Sequence, residues 1–154
     1  MDVNFHVINA LPPVADVFAS SANTDIIDAG VGDGVLFIIY SGAVSGAAVN
    51  TVTIEASSTT GAAAVATVPF VYRACVATDV WGDWTAAAAT GFSADNTAAN
   101  SMWQVYVDSA EIGEEGYRYV RLATDETGNF TVLGGVLAMV INPRYAPMVG
   151  SALD

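Results

Sequence analysis

Few residues of this chain are of a type that does chemistry: one histidine, His6, one cysteine, Cys75, four arginines, no lysine, and sixteen acids. A cysteine nucleophile needs a base beside it. His6 is remote in sequence, and Cys75 sits in an apparent strand among Tyr72, Arg73, Ala74 and Val76, where a buried inert thiol is expected. Two carboxylates flanking a bond could hydrolyse a glycoside. The pairs on offer, Asp125–Glu126, Glu114–Glu115 and Asp79–Asp83, fall in segments that read as turns, where acids are solvated. Calcium takes oxygen ligands alone, but Asp25, Asp28 and Asp33 do not follow the EF-hand spacing. A single cysteine excludes an internal disulfide and a thiolate metal cluster. The residues therefore predict no catalytic centre, no metal and no cofactor, and a chain that is not an enzyme.

What remains is recognition. Trp81 and Trp84, in Asp79-Val80-Trp81-Gly82-Asp83-Trp84, lie in a loop-like stretch and are candidate surface contacts, for a protein or for a sugar ring. Trp103 alternates with Val105 and Val107 and belongs to a core. Arginines this scarce in an acidic chain are expected to pair with carboxylates, within the chain or across an interface. Arg118, Arg121 and Arg144, with the neighbouring Tyr145, complete the set of candidate interface residues.

The elements that carry these residues read as strands. Residues 24–29 precede a Gly-rich turn, and residues 35–40 (Val-Leu-Phe-Ile-Ile-Tyr) form a continuous apolar run typical of a strand buried on both faces. Residues 51–56 alternate, with Val52, Ile54 and Ala56 inward and Thr51, Thr53 and Glu55 outward. Residues 65–76 read as a strand that Pro69 restricts to an edge or a bulge. Residues 102–107, 117–122 and 130–141 follow, the last two joined by a turn at 125–129. The alanines of 84–89 predict one helical turn at most. Residues 1–24 show little periodicity and contain Pro12-Pro13, so they read as an N-terminal arm. Residues 25–154 read as an all-β domain of about eight strands, an antiparallel jelly-roll-like sandwich or barrel.

With 154 residues the chain suits one core. Hydrophobic residues make up 53% and charged residues 13%, about half the usual charged share of soluble domains. Such a surface points to burial of part of the outside against another subunit. A net charge of −12 without one lysine argues against nucleic acid and against an anionic membrane. The most apolar stretch, residues 35–52, is interrupted by Ser41, Gly42, Ser45, Gly46 and Asn50, which excludes a spanning helix there. The chain does not open on a secretory leader pattern.

The order Trp81-Gly82-Asp83-Trp84, Asp95-Asn96, Trp103-Gln104-Val105-Tyr106-Val107-Asp108, Tyr119-Val120-Arg121-Leu122 and Asn142-Pro143-Arg144-Tyr145-Ala146 resembles small virion structural proteins of tailed bacteriophages, in particular capsid decoration, or cement, proteins. The likeness spans most of residues 25–147. The resemblance implies a jelly-roll or related fold, a homotrimer on the outer surface of the capsid, and a clamp on neighbouring major capsid protein subunits. Each added copy brings another −12, so an oligomer needs an uncharged contact that outweighs the repulsion. A carbohydrate- or receptor-binding β module of a phage tail or fibre is the alternative.

Overall fold

The computed structural model describes residues 5–19, 21–46, 48–62, 65–96, 100–128, 130–144 and 152–153. Two antiparallel sheets face each other. The larger contains β1 (Phe5–Val14), β12 (Val132–Ile141), β3 (Gly34–Val44), β10 (Met102–Asp108), β6 (Phe70–Ala77) and β7 (Val80–Trp81) in that spatial order, with β8 (Thr85–Ala87) also on β6. The smaller runs β13 (Ala152–Leu153), β2 (Ile26–Asp28), β11 (Tyr119–Thr127), β4 (Ala48–Ser57) and β5 (Ala66–Val68), with β9 (Phe92–Asn96) sharing the β4 edge.

The pairing is mirrored along the chain. β1 lies on β12, β2 on β11, β3 on β10 and β4 on β9, with successive pairs alternating between the sheets. A long antiparallel ribbon rolled up in this way is a jelly roll. The all-β sandwich expected from the sequence is thus present. Its eight principal strands carry that connectivity, and the additional strands are short or belong to the β5–β8 excursion.

Alternation decides the interior. Val52, Ile54 and Ala56 are fully buried on β4, while Thr51, Thr53 and Glu55 point outward, as the sequence predicts. Val35, Phe37 and Ile39 from β3 and Trp103, Val105 and Val107 from β10 meet them from the other sheet. The run at 35–40 differs from expectation: Leu36, Ile38 and Tyr40 are only half-buried, because they lie on the outer face of the larger sheet.

Pro69 marks no bulge, and the strand it ends, β5, is an edge of the smaller sheet, as expected. The proline separates β5, on β4, from β6, on β10, and so marks where the chain crosses between sheets; proline has no N–H to give a ladder, and a crossing needs none. The alanines at 86 and 87 are strand, not helix: β8 pairs with β6, and tertiary pairing overrides a short run of helix formers. Asp125 to Thr127 continue β11 rather than forming the turn. Gly91, with a φ of +81°, turns the chain from β8 into β9, where a Cβ would meet the Val52 carbonyl oxygen. The one α-helix among the described residues, α1 (Ser109–Glu114), closes the end of the sandwich beside β10; the Asp108 side chain accepts from the Ala110 N–H at 2.7 Å as its N-cap, and Ile112 is buried.

Residues 5–18, placed by the sequence reading in an arm, are integral to this protomer. β1 pairs along β12 with two register shifts, and Val17 and Phe18 are fully buried. The shifts, at Leu11 and Val14 around Pro12-Pro13, break the period by which such a strand is legible. Residues 22–25 then bond across β11 and to Ala10, with Thr124 N–H donating to the Ala22 carbonyl and Thr24 N–H to the Leu122 carbonyl, both at 2.9 Å.

Asn50 is the polar exception in the core. It is fully buried on β4 in line with Val52, and neither its amide oxygen nor its nitrogen has a hydrogen-bond partner. An unsatisfied buried amide costs about 1–3 kcal/mol. Asn50→Val, similar in size and suited to a strand, is expected to stabilise the fold by about 1 kcal/mol in urea unfolding at unchanged m-value.

Candidate functional site

The outer face of the larger sheet is the unusual surface of this protein. Directly opposed residues of antiparallel strands share a face, so the registers lay out its rows. Val7, Met139, Leu36, Tyr106 and Val71 form one. Leu137, Ile38, Gln104 and Arg73 form the next, and Gly135, Tyr40, Met102, Cys75 and Trp81 a third. Phe5 is 45% exposed, Val7 49%, Leu133 48% and Met102 36%. The outer face of the smaller sheet carries Thr51, Thr53, Glu55, Thr67, Ser93, Arg121 and Asp125 instead. One sheet therefore presents an ordinary polar surface and the other an apolar one.

Arg73 is the charged residue set among these apolar strand positions. Its Nε donates to Gln104 Oε1 at 2.7 Å, and its guanidinium carbon lies 5.0 Å from the Trp81 ring centroid and 4.6 Å from that of Trp84. Trp81 is half-buried on β7 and Trp84 is 45% exposed beyond it. A guanidinium over two indoles is held by the ring quadrupoles. Both tryptophans are thus at the surface, and they converge on an arginine that sequence reasoning did not select as a contact. Alternation could have found it: Arg73 lies two residues from Cys75 and Val71 on the same face.

The other arginines are disposed differently. Arg118 binds Asp28 in a fork, Nε to Oδ1 at 2.9 Å and Nη2 to Oδ2 at 2.7 Å, which raises the pKa of the guanidinium above its ordinary value. Arg121 Nε donates to Glu55 Oε2 at 2.6 Å across β11 and β4. Both pairs lie within the chain. Arg144 is exposed, with its N–H on the Val31 carbonyl, and Tyr145 lies outside the described residues. The six sequence candidates therefore do not form one site.

The groups considered for catalysis are also apart. His6 and Cys75 stand on β1 and β6, four strand spacings or roughly 19 Å from each other, and on opposite faces of the sheet. Cys75 is half-buried on the outer face rather than in the core, its thiol donating to the Ala77 carbonyl at 3.0 Å. Asp125 accepts from Ser21 and Glu126 from the Phe130 N–H. Asp28 is taken by Arg118, and Asp33 accepts from Asn142 at 3.0 Å. Glu114 and Glu115 line an open groove of about 510 Å³ with Val68, Pro69, Glu111 and Ile112.

At the α1 end of the apolar face the charge changes sign. Tyr106 lies over Gly34, where a Cβ would come within 2.5 Å of the phenol oxygen. Burial first, and then Asp108, Asp33 and Glu111, push the Tyr106 phenol above its ordinary value of 10.0. Arg144 lines the same end beside Asp33 and Asp108. Comparison of the chain with protein-family models, with curated proteins and with solved structures finds no match.

The raised Tyr106 phenol has a sign that can be tested. Its neutral form is favoured by the fold, so its contribution is complete below the ordinary value of 10.0 and is lost as pH rises through the higher folded-state value. Tyr106→Phe is expected to flatten the loss of stability above pH 10.0, and phenolate absorbance of the folded wild type should show one more late-titrating tyrosine than the variant.

Proposed function

We propose that this chain is a non-enzymatic structural protein of a virion, a decoration protein that sits on the outer surface of a phage capsid as a homotrimer and clamps major capsid protein subunits. The observation that carries the reading is the apolar outer face of the larger sheet. The largest apolar patch of a soluble protein is itself about 300–600 Å² and often marks a contact site. Five strands at ~4.8 Å and seven residues at ~3.3 Å give roughly 20 by 20 Å, on the order of 400 Å² in projection, before the β1 edge and Trp84 are added. That is a large part of the ~800 Å² per partner of a standard interface. The resemblance of the sequence to cement proteins suggests the virion context, and the scattered His6, Cys75 and carboxylates support a role without catalysis.

The mechanism is mass action. A protein that binds the assembled shell and not its free subunits stabilises the shell by about 2.7 kcal/mol per site at a hundredfold excess over Kd, and many sites add up to a clamp. The test is to add the purified protein to shells that lack it and follow binding and thermal disruption. Wild type is expected to bind and to raise the disruption temperature. Ile38→Glu, on the apolar face, should abolish the effect while unfolding within about 1 kcal/mol of wild type; Thr53→Glu, on the polar sheet, should behave as wild type. Wild type that neither binds nor protects shells overturns the proposal.

The exposed Trp84 favours one second reading, a carbohydrate-binding module of a tail or fibre. Arg73 already occupies a face of each indole, which leaves less ring for a sugar to stack on. A glycan array decides: saccharide binding lost on Trp84→Ala would favour the module, and no binding removes it.

A further inference from the structure

We infer that the shell surface covering this apolar face presents a carboxylate to Arg73, at the place where Trp81 and Trp84 converge. The inference rests on the decoration reading and names the chemistry of the partner at that same face.

The two sheets treat one cross-strand arrangement differently. On the smaller sheet Arg121 lies directly opposite Glu55, and its Nε donates to Glu55 Oε2 at 2.6 Å. On the larger sheet Arg73 lies directly opposite Gln104, and its Nε donates to Gln104 Oε1 at 2.7 Å. A carboxamide stands where the other sheet has a carboxylate, so Arg73 keeps its charge. Arg118 is paired with Asp28, and Arg144 shares its end of the molecule with Asp33 and Asp108. Among the described residues Arg73 forms no ion pair, even with Asp79 and Asp83 in the turns flanking β7, in a chain of sixteen acids.

Covering the face changes what that charge needs. Only Nε of the guanidinium has an acceptor among the described residues, and the indoles, with centroids 5.0 and 4.6 Å from its central carbon, offer ring faces and no acceptor oxygen. Rings stabilise the cation, but a charge taken from water without a counter-charge is strongly unfavourable. A carboxylate on the covering surface removes that cost, and the planar amino groups left over by Gln104 suit its two oxygens. Exclusion of water then strengthens the attraction.

The position of Arg73 also gives the face a direction. Asp108 closes β10 four residues beyond Gln104, roughly 13 Å along the strand, and Asp33 and Glu111 act with it on Tyr106. A partner turned end for end would set its carboxylate against these acids, and like charges brought together across an interface are strongly disfavoured.

Shells assembled without this protein provide the test. Gln104→Glu supplies the missing carboxylate within the chain. It is expected to unfold in urea no more easily than wild type, since opposite charges on paired strands are favourable, yet to bind shells at least ~10-fold more weakly. Arg73→Gln should lose binding to a similar degree, and Thr53→Glu, which adds the same charge on the other sheet, should not. Because the chain has no lysine, Arg73→Lys introduces its one side-chain amine. Zero-length carbodiimide coupling of that variant on shells should join position 73 to an Asp or Glu of a shell subunit, located by peptide mass spectrometry. Gln104→Glu and Arg73→Gln that bind like wild type, or coupling of position 73 only to acids of its own chain, would overturn the inference and leave the decoration reading standing. Wild type that does not bind shells ends both.

Discussion

Everything in this protein hangs on the mirrored pairing of its strands. β3 sits between β12 and β10, two strands far from it in sequence, and its inward residues Val35, Phe37 and Ile39 are fully buried. Few local contacts hold such a ribbon, so chain-distant pairs must form together, and the loop entropy of closing them is offset by burial of both inner faces. Once the roll is closed, the positions of α1, the β5–β8 excursion and residues 15–19 and 21–25 follow from where the ribbon needs its ends covered.

The roll divides the labour of its sheets. The smaller sheet holds cross-strand ion pairs such as Arg121 with Glu55 and an outer row of threonines. The larger sheet has aliphatic and aromatic residues on both faces. Strands buried on both sides in this manner are usual where another layer covers the sheet, and here the second layer is not supplied by the chain's own described residues. The low charge content of the sequence is therefore concentrated in one place rather than spread over the surface.

Much of this was legible beforehand. Clean alternation at 51–56 and 102–107 placed Val52, Ile54, Trp103 and Val105 correctly, because a strand's period of two leaves one reading when one face is polar. Where both faces are apolar, as at 35–40, alternation carries no contrast, and the outer residues Leu36 and Ile38 were indistinguishable from the core. β1 escaped for another reason: its register shifts interrupt the period. Arg73 was missed because its partners, Gln104 on β10 and the two tryptophans beyond β6, come from strands whose adjacency no local pattern reveals.

By itself the sequence determined the all-β class, the scarcity of groups able to catalyse, the acidity, and the excess of apolar residues over what one core uses, since these depend on composition and short-range periodicity. Only the tertiary structure decided which sheet carries that excess, that Trp81 and Trp84 close on Arg73, and that Asp33, Asp108 and Glu111 gather at one end of the same face. Those are consequences of which distant strands pair and in what register, and a one-residue change of register would have turned strand residues such as Arg73 and Asp108 to the other side of the sheet.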